Sequence, residues 1–532
     1  MPTDCLAFKE TGYFSNLICD YLDEKKELQN FYNRFPEIKN FKAQIDEKKQ
    51  SFPQENRDVL VNSLNKQYKI LKPSKTTLKN IASLKSENTF SIVTGHQLNL
   101  FTGPLYFLYK IISTINLTKQ LKKEYPESNF VPVYWMATED HDFEEIDYFN
   151  YKGKKIHWNR KVSGAVGELT TDGLDEVFKL LDLEFVGGMN ANKLKELFKK
   201  AYLEHNNLTD ATFYLANELF GEYGLVIIDA NKKELKKLFI PILESELLNK
   251  TSFKEVTKTI ESLSKENYNI QVNPREINLF YLADGIRERI IESEGVYFVN
   301  ETEIKWNKKE LLEHLYTFPE RFSPNVMMRP LYQEVILPNL CYIGGGGELA
   351  YWLQLKGYFE EVKVPFPILL LRNSALLITT KQKEKLKKLK ITYPQLFLKR
   401  DAFINKKVRE ISNIDIDFSS QKKYLHEQFE ALYEIAAQTD KSFIGAVEAQ
   451  EKKQLKGIDN LEKRLLKAQK LKLADEVSRM TDIKTALFPG ESLQERNTNF
   501  SEFYLEYGDA LISQLMNSLN PLKHQFLIIE MN

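Results

Sequence analysis

The stretch NTFSIVTGHQLNLFTGPLYFLYKIISTINLTKQLKKEYPESNFVPVYWMATEDHD, residues 88–142, decides the fold. It opens with a β-branched apolar run that stops at Thr94-Gly95, and an apolar segment with helical spacing begins near Gly103-Pro104. A second apolar run, FVPVYWMAT, ends in four charged residues at 139–142. This order predicts a β-α-β unit with polar side chains at the carboxyl end of its second strand.

Two later apolar runs extend the predicted sheet. YGLVIIDA at 223–230 and FPILLLRNSALLI at 366–378 are typical of buried strands, and long segments separate them. We therefore predict an α/β fold whose core is discontinuous in sequence. Open α/β sheets bind ligands at the carboxyl ends of their strands, so polar residues there are candidates for a site.

Composition excludes several classes of protein. The 532 residues include 74 Lys+Arg and 74 Asp+Glu, so no global charge attracts nucleic acid or an anionic membrane. Three widely spaced cysteines form no C-x-x-C pair and favour a reducing compartment. The first residues lack a signal-peptide pattern, and the longest apolar runs are too short to span a bilayer. We expect a cytoplasmic protein of several domains, with no nucleic-acid and no membrane partner.

Helical patterns occupy two other parts of the chain. The first ninety residues repeat apolar positions three and four apart, which predicts packed helices. From about Gln421 to Met480 the same alternation continues over many turns and changes phase near Gly457. This predicts a coiled-coil helix with a bend or hairpin at the phase break, and 381–390 is a candidate antiparallel partner. Such a helix needs a partner in the same chain or in a second subunit, so we expect a homodimer.

The glycine turn after the first strand has the composition of a phosphate site. Thr94, Gly95, His96 and Gln97, with Gly103 before the next helix, combine close backbone approach with the N–H groups of a helix start. A strand-to-helix turn that uses glycine only for its backbone geometry explains these residues equally well. The role of His96 stays open for the same reason.

The charged cluster after the second strand has two interpretations. Glu139, Asp140, His141 and Asp142 could bind a divalent cation or supply a general base. An acidic loop that caps the next helix is the alternative. The position directly after an apolar strand favours function.

Three further polar clusters are candidates for anion binding. Four consecutive glycines at 344–347 suggest a close-fitting ligand, with a flexible loop as the alternative. Two arginines follow apolar or turn segments, where a planar guanidinium suits phosphate or carboxylate but a structural ion pair is the commoner outcome. The candidates are Gly345, Gly346, Arg372, Asn373, Ser374, Gln494 and Arg496.

Several common motifs are missing from the sequence. The histidines show no H-E-x-x-H or H-x-x-x-H spacing, so no helical zinc site is predicted. No G-x-S-x-G, Walker loop or G-x-G-x-x-G occurs. The residues alone therefore indicate a nucleotide- or anion-binding α/β enzyme.

The motifs taken together resemble the BshC family, the cysteine-adding enzymes of bacillithiol biosynthesis. The similar pieces, in order along most of the chain, are TGHQLNLFTGPLYFLYKI, VPVYWMATEDHDFEEI, IGGGGELAYW, LRNSALL and PGESLQERN. The family commonly has Gln-Gln after Thr-Gly where this chain has His96-Gln97, so the resemblance assigns no role to His96. It implies a Rossmann-like core of the class I nucleotidyltransferase type, with connecting-peptide insertions and a coiled-coil domain that forms a homodimer.

These expectations give a domain layout. We predict that 1–155, 221–274, 326–378 and 482–532 form the core, that 156–220 and 275–325 are inserted modules, and that 379–481 is the helical coiled-coil domain.

The resemblance also implies a reaction, the last step of bacillithiol synthesis, which joins the carboxyl group of cysteine to the amine of glucosaminyl malate. An adenine nucleotide, ATP or ADP, is the implied cofactor. A carboxylate is a poor electrophile and an ammonium is no nucleophile, so we expect an acyl-adenylate or acyl-phosphate and a base.

Our hypothesis distributes roles over the candidate residues. Thr94, Gly95, His96 and Gln97 lie near the phosphates, and Asp140 or His141 deprotonates the amine. Glu139 and Asp142 orient that base or bind Mg²⁺, while Arg372, Ser374, Gln494 and Arg496 contact nucleotide or malate carboxylates.

Two other classes stay open. A metal-dependent hydrolase would use His96, Glu139, Asp140 and His141 as ligands. A noncatalytic scaffold would use the coiled coil to gather other proteins. The polar residues at several strand ends make the scaffold the weaker alternative.

Overall fold

The computed structural model describes residues 4–531 and divides the chain into two compact units. One unit comprises the residues up to Leu377 together with Leu493–Met531, and the other comprises Ile378–Ser492. The first unit contains the sheets, and the second is almost entirely helical.

A five-stranded parallel sheet forms the centre of the first unit. Nearly all of its residues are buried, as in sheets that helices cover on both faces. The predicted α/β fold and the predicted strands at both ends of residues 88–142 are confirmed. In chain order the strands are β1 Thr89–His96, β2 Asn129–Met136, β3 Val226–Asp229, β4 Asn339–Gly344 and β5 Ile368–Leu371, with the spatial order β5-β4-β1-β2-β3.

Helix α1, Tyr106–Glu124, connects β1 to β2. Every residue from Phe107 to Thr118 is buried, because the helix packs in the interior of the unit on all sides. Gly103 precedes it with φ 62°, and a Cβ at that position would lie 2.6 Å from Asn99 Cβ. Backbone geometry therefore explains Gly103 without a ligand, and its role in binding stays a prediction.

The run at 366–378 is two strands and not one. After β5 the chain leaves the parallel sheet at Arg372 and Asn373 and enters Ser374–Thr379. This strand belongs to a separate three-stranded sheet with Asp4–Leu6 and Phe526–Met531. Apolar character continues through both strands because both are buried, so the sequence pattern does not reveal the break.

Two further structured regions lie between strands of the parallel sheet. A hairpin of Tyr148–Tyr151 and Lys154–His157 precedes helices Leu174–Glu184, Gly188–Leu203 and Leu208–Phe220. A second five-stranded sheet is antiparallel throughout. Its strands are Leu279–Ala283, Ile286–Ser293, Val296–Val299, Lys305–Asn307 and Phe322–Pro324.

The predicted helices of the first ninety residues are present, and further helices follow between and after the strands. Two of them receive names here, α2 for Arg329–Ile336 and α3 for Gly346–Leu353. The other α-helices of the unit are Phe8–Thr11, Asn16–Leu22, Phe41–Ser51, Gln54–Gln67, Lys75–Ser83, Phe143–Ile146, Lys233–Lys237, Ile240–Asn249, Thr251–Lys265, Lys308–Thr317, Lys356–Glu361, Gln494–Asn497, Ser501–Tyr507 and Ala510–Ser518.

The second unit contains a helical hairpin, α4 Ser419–Ala436 and α5 Lys441–Lys472. The chain reverses direction just before Asp440, the N-cap residue of α5. The Asp440 side chain accepts a hydrogen bond from the backbone N–H of Ser442. The helix continues through Gly457, so the prediction of a bend there and of a partner at 381–390 is wrong. The remaining helices are Thr380–Lys388, Tyr393–Leu396, Arg400–Ile411 and Ala474–Leu487. Across residues 4–531, no helix has the length and apolar character needed to cross a membrane.

Candidate active site

A cavity of about 500 Å³ lies at the carboxyl ends of β1, β2 and β4, and we call it the strand-end cavity. Its volume is in the range of small-molecule sites. It brings together predicted residues from five separate segments of the chain. Those that line it are Gly95, His96, Gln97, Glu139, Asp140, Gly345, Gly346, Arg372 and Arg496.

Besides His141, which is described below, five predicted side chains lie outside the cavity lining. Thr94 Oγ1 donates to the carbonyl of Ile343 at 2.7 Å and fastens β1 to β4. The amide of Gln494 bonds both the N–H and the carbonyl of Leu377, at 3.0 Å each. The other three are Asn373, Ser374 and Asp142.

Asn373 and Ser374 also have structural partners. Asn373 accepts from Ser113 Oγ at 3.0 Å and donates to the Asn520 carbonyl at 2.9 Å, while Ser374 Oγ accepts from Arg372 at 3.1 Å. Asp142 is exposed at the protein surface. Tertiary hydrogen bonds thus give Thr94, Gln494, Asn373 and Ser374 structural roles, whereas a binding role for the exposed Asp142 stays a prediction.

The cavity contains an ion pair that the sequence analysis missed. Lys110 Nζ lies 2.6 Å from Glu348 Oε2 and donates to the Gly95 carbonyl at 2.6 Å. Glu348 also accepts from Tyr342 OH at 2.5 Å and from Gly345 N–H at 2.8 Å. Burial alone would raise the pKa of Glu348, but Lys110 and these hydrogen bonds outweigh it and lower the pKa. The sequence does offer one signal for this ion pair, because Lys110 is a charged residue within the apolar run of α1.

The glycine run is ordered. Gly344 ends β4, Gly345 is the N-cap, and Gly346 begins α3, so the flexible-loop alternative is wrong. Because Glu348 already accepts from the Gly345 N–H, the free N–H groups of this helix start begin at Gly346.

His96 is buried between aromatic rings and stays uncharged. Its ring centroid lies 5.5 Å from that of Tyr106 and 5.0 Å from that of Phe107. Burial, assisted by the charge of Lys110, lowers its pKa to about 3. Its Nε2 has no hydrogen-bond partner within residues 4–531. A neutral imidazole with a free buried nitrogen fits a ligand-binding role better than general-base catalysis near pH 7.

Asp140 is a strongly held carboxylate. Gln97 Nε2 donates to its Oδ2 at 3.1 Å, and the backbone N–H of His141 donates to its Oδ1 at 2.8 Å. Burial opposes ionisation, but the hydrogen bonds from His141 and Gln97 and the charge of Arg287 outweigh it and lower the pKa to about 2.

His141 lies beside the cavity, and its Nδ1 is occupied. Arg287 Nη1 lies 2.6 Å from this nitrogen, and because a guanidinium can only donate, Nδ1 is the acceptor. The neutral ring then carries its proton on Nε2, and no lone pair is left for a base. This geometry disfavours His141 as the base.

The acidic cluster has the residue types of a cation site but not its donor set. Ligand atoms of Asp140, His141 and Asp142 lie within 4.8 Å of one another. However, the Arg287 cation uses the His141 nitrogen, and Glu139 is paired with Lys236 at 2.8 Å. A bound Mg²⁺ would meet a guanidinium and too few free carboxylates, so these residues do not fit a resident divalent cation. The hydrolase alternative loses its ligand set for the same reason.

The two predicted arginines have different environments. Arg372 Nη2 is paired with the buried Glu495 at 2.8 Å. Burial would lower the pKa of Arg372, but Glu495 outweighs it and raises the pKa. The Arg496 side chain lines the cavity, and its guanidinium makes no ion pair or hydrogen bond with any residue of 4–531.

Fold and cavity together define a class, a Rossmann-like α/β protein with a polar cavity at its strand ends and a coiled-coil unit. The model of the bacillithiol biosynthesis BshC N-terminal Rossmann-like domain matches residues 1–373. The model of the BshC C-terminal coiled-coil domain matches residues 375–531. The chain belongs to the bacillithiol biosynthesis BshC family, and the predicted family and fold class are confirmed.

Curated relatives agree along the whole length of the chain. It is 64% identical over 533 residues to a protein of Christiangramia forsetii, covering 99% of each chain. It is 58% identical to a protein of Flavobacterium johnsoniae, over 99% of this chain and 100% of that one. A protein of Cytophaga hutchinsonii is 36% identical over 97% of this chain and 96% of its own length. All three carry the name "Putative cysteine ligase BshC".

A solved structure described as an arginyl-tRNA synthetase from Campylobacter jejuni, with its function marked there as unproven, aligns with 84% of this chain and 98% of its own. The TM-score is 0.22 and the identity is 10%, which is too low to support an argument.

Proposed function

We propose that this protein is a ligase that joins the carboxyl group of L-cysteine to the amine of glucosaminyl malate in bacillithiol biosynthesis. Family membership and the names of the relatives support a cysteine-adding ligase. One observation of the structure carries the proposal. A single cavity contains both the unpaired guanidinium of Arg496 and the ionised carboxylate of Asp140, which suit an anionic and an aminated substrate.

The reaction requires activation of a carboxylate and removal of an amine proton. A bound adenine nucleotide would supply the leaving group for the cysteine carboxyl. Gly95 leaves room for close approach, Gly346 starts a helix whose N–H groups suit phosphate, and Arg496 supplies positive charge. The free Nε2 of His96 adds a hydrogen-bonding atom at the same place.

Asp140 acts on the amine in this proposal. Its low pKa makes it a weak base for a free ammonium, so the ammonium loses its first proton to solvent, and Asp140 accepts a hydrogen bond from the neutral amine and orients it. As the new C–N bond forms, the nitrogen becomes more acidic, and the carboxylate then accepts its proton. Gln97 holds the carboxylate in place through the hydrogen bond to Oδ2.

The test is direct detection of the product. Purified protein is incubated with cysteine and glucosaminyl malate, with and without ATP and Mg²⁺, and bacillithiol is measured by mass spectrometry. We expect product only when ATP is present. Product without ATP would replace the activation step, and no product under any condition would contradict the ligase.

Two variants make the assay specific for the cavity. Arg496→Met removes the unpaired cation and should lower turnover at least tenfold. Arg160→Met is the matched control, because Arg160 bonds Thr170 outside the cavity and its loss should leave turnover near that of the wild type. Equal effects of the two changes would argue against the cavity as the site.

We also propose that the chain forms a homodimer through its helical hairpin. Several large apolar side chains of α4 and α5 are exposed within the single chain, although each helix already packs against the other. Apolar side chains that the hairpin itself does not bury are suited to a second subunit. They include Ile435, Phe443, Leu461 and Leu471.

A further inference from the structure

We infer that Arg329 binds an anionic group of the ligand, a carboxylate or a phosphate, and that Gln333 positions it for this. The inference rests on the proposed function in taking the strand-end cavity as the substrate site. The sequence analysis did not single out either residue.

Arg329 is the first residue of α2 and lines the cavity. Its Nη1 donates to Gln333 Oε1 at 3.2 Å, and its Nη2 donates to Tyr351 OH at 3.3 Å. Both acceptors are uncharged. A guanidinium has five N–H donors, so most of its hydrogen-bonding capacity remains for a ligand.

Glu348, the carboxylate whose charge acts on Arg329, is paired with another cation. Glu348 already holds Lys110 as its ion-pair partner and accepts from Tyr342 and Gly345. Arg329 itself forms no ion pair with a carboxylate in residues 4–531. This wall of the cavity therefore carries two cations and one carboxylate.

The charge of Arg329 is nevertheless retained. Burial disfavours the cation, but Tyr351, Tyr342 and Glu348 outweigh burial and raise its pKa. A partly buried cation without a counter-ion is costly to a protein, and an anionic ligand supplies the missing charge.

Two aromatic rings and Gly95 surround the guanidinium of Arg329 and define its position. Its carbon lies 5.8 Å from the Trp135 ring centroid and 5.5 Å from that of Tyr342. A Cβ at Gly95 would lie 3.8 Å from Arg329 Nη1, so the guanidinium sits directly against the end of the central strand β1. The planar fork is thus presented where ligands of open α/β sheets bind.

Buried hydrogen bonds fix the orientation of Gln333. Its Nε2 donates to Glu334 Oε1 at 3.0 Å, which leaves its Oε1 to accept from Arg329. Glu334 in turn forms a buried ion pair with Lys48 at 3.0 Å and accepts from Asn339 at 2.6 Å. An inverted amide would direct its NH₂ group at the guanidinium, so this network makes Gln333 an acceptor for Arg329.

Binding of two simple anions tests the role of Arg329. L-malate and inorganic pyrophosphate are titrated by calorimetry into the wild type, Arg329→Met, Arg329→Lys and the control Arg160→Met. We expect Arg329→Met to weaken at least one anion tenfold or more, Arg329→Lys to weaken it less because it keeps the charge, and the control to bind like the wild type.

The two anions identify the source of the bound group. Loss of malate binding alone assigns a carboxylate, and loss of pyrophosphate binding alone assigns a phosphate. Unchanged affinities in Arg329→Met, or a wild type that binds neither anion, would overturn the inference. If the product assay fails but the protein still binds an anion in an Arg329-dependent way, only the proposed ligase activity is contradicted.

A second pair of variants tests positioning by Gln333. Gln333→Met should raise the dissociation constant for the same anion several-fold, and KM for the anionic substrate should rise more than kcat falls. Gln354→Met is the matched control, because Gln354 is a buried amide that bonds Gln271 and Val272 outside the cavity. An equal loss of anion affinity in both variants would mean that Gln333 supports the fold and does not position Arg329.

Discussion

Burial and neighbouring charge move the pKa values of His96 and Asp140 in ways that their residue types do not specify. His96 is neutral because a buried imidazolium beside Lys110 is unfavourable. Asp140 is ionised because hydrogen bonds and Arg287 outweigh the effect of its burial. The residue that sequence reasoning treats as a cation or base is thus uncharged, and the acid is a stronger acid than usual.

Asp140→Asn should reveal this shift as a pH-dependent loss of stability. Since the folded-state pKa is about 2, below the ordinary value of 3.8, the ionised group stabilises the fold above about pH 4 and loses that effect as pH falls toward 2. We expect the variant to be less stable by about 2 kcal/mol at pH 7 and the difference to shrink by pH 3. Urea unfolding at several pH values measures it.

Asp142→Asn is the control for this experiment, because Asp142 is an exposed acid of the same cluster. It should change stability little at any pH. A difference between wild type and Asp140→Asn that is independent of pH would contradict the assigned ionisation. Turnover of Asp140→Asn should fall as well, since the orienting carboxylate is removed.

The turn between β1 and α1 shows how an element boundary limits what a residue can do. Phe101, Thr102 and Gly103 all have positive φ values, 48°, 69° and 62°. The turn therefore brings the chain into the buried first part of α1 by a path that most side chains disfavour. Glycine in such a turn looks, in sequence, like glycine in a phosphate loop.

Gly103→Ala should lower the melting temperature. The new Cβ would lie 2.6 Å from Asn99 Cβ, and the backbone conformation adds about 1–3 kcal/mol of strain. Gly457→Ala is the control of opposite sign, because Gly457 lies within α5 and a Cβ there would have no neighbour within 4 Å besides the backbone of its own helix. Alanine at this position should stabilise the fold by about 1 kcal/mol. Calorimetry measures the melting temperatures of both variants. An unchanged melting temperature in Gly103→Ala would contradict the structural role of Gly103.

The coiled-coil helix illustrates the same limit on a longer element. Its apolar spacing correctly indicated helices over 421–480, but not where the chain reverses. The hairpin turn is set by the cap at Asp440, whereas Gly457 is tolerated inside a helix because nothing crowds it. A phase change in an apolar pattern therefore did not mark the turn.

At the scale of the whole molecule, the exposed apolar residues of the hairpin predict self-association. Leu461→Glu combined with Leu471→Glu should halve the mass measured by sedimentation equilibrium, since a charge cannot be buried at an apolar interface. Helix content should be unchanged, because both side chains are exposed in the single chain. Lys467→Glu, an exposed change on the same helix, should keep the wild-type mass. A wild type that sediments as a monomer would refute the homodimer.

The sequence by itself determined the strands β1 to β3, helix α1, the coiled-coil class and nine of the residues that line the cavity, because these depend on periodic apolar patterns and on polar residues at strand ends. Only the tertiary structure decided which polar atoms are free. It used Thr94, Asn373, Ser374 and Gln494 to hold segments together, and it brought Lys110, Arg287, Arg329 and Glu348 into the cavity from four distant segments. The reason is physical, since a side chain's function depends on the partner it meets, and contacts between distant segments leave no periodic signal in the chain.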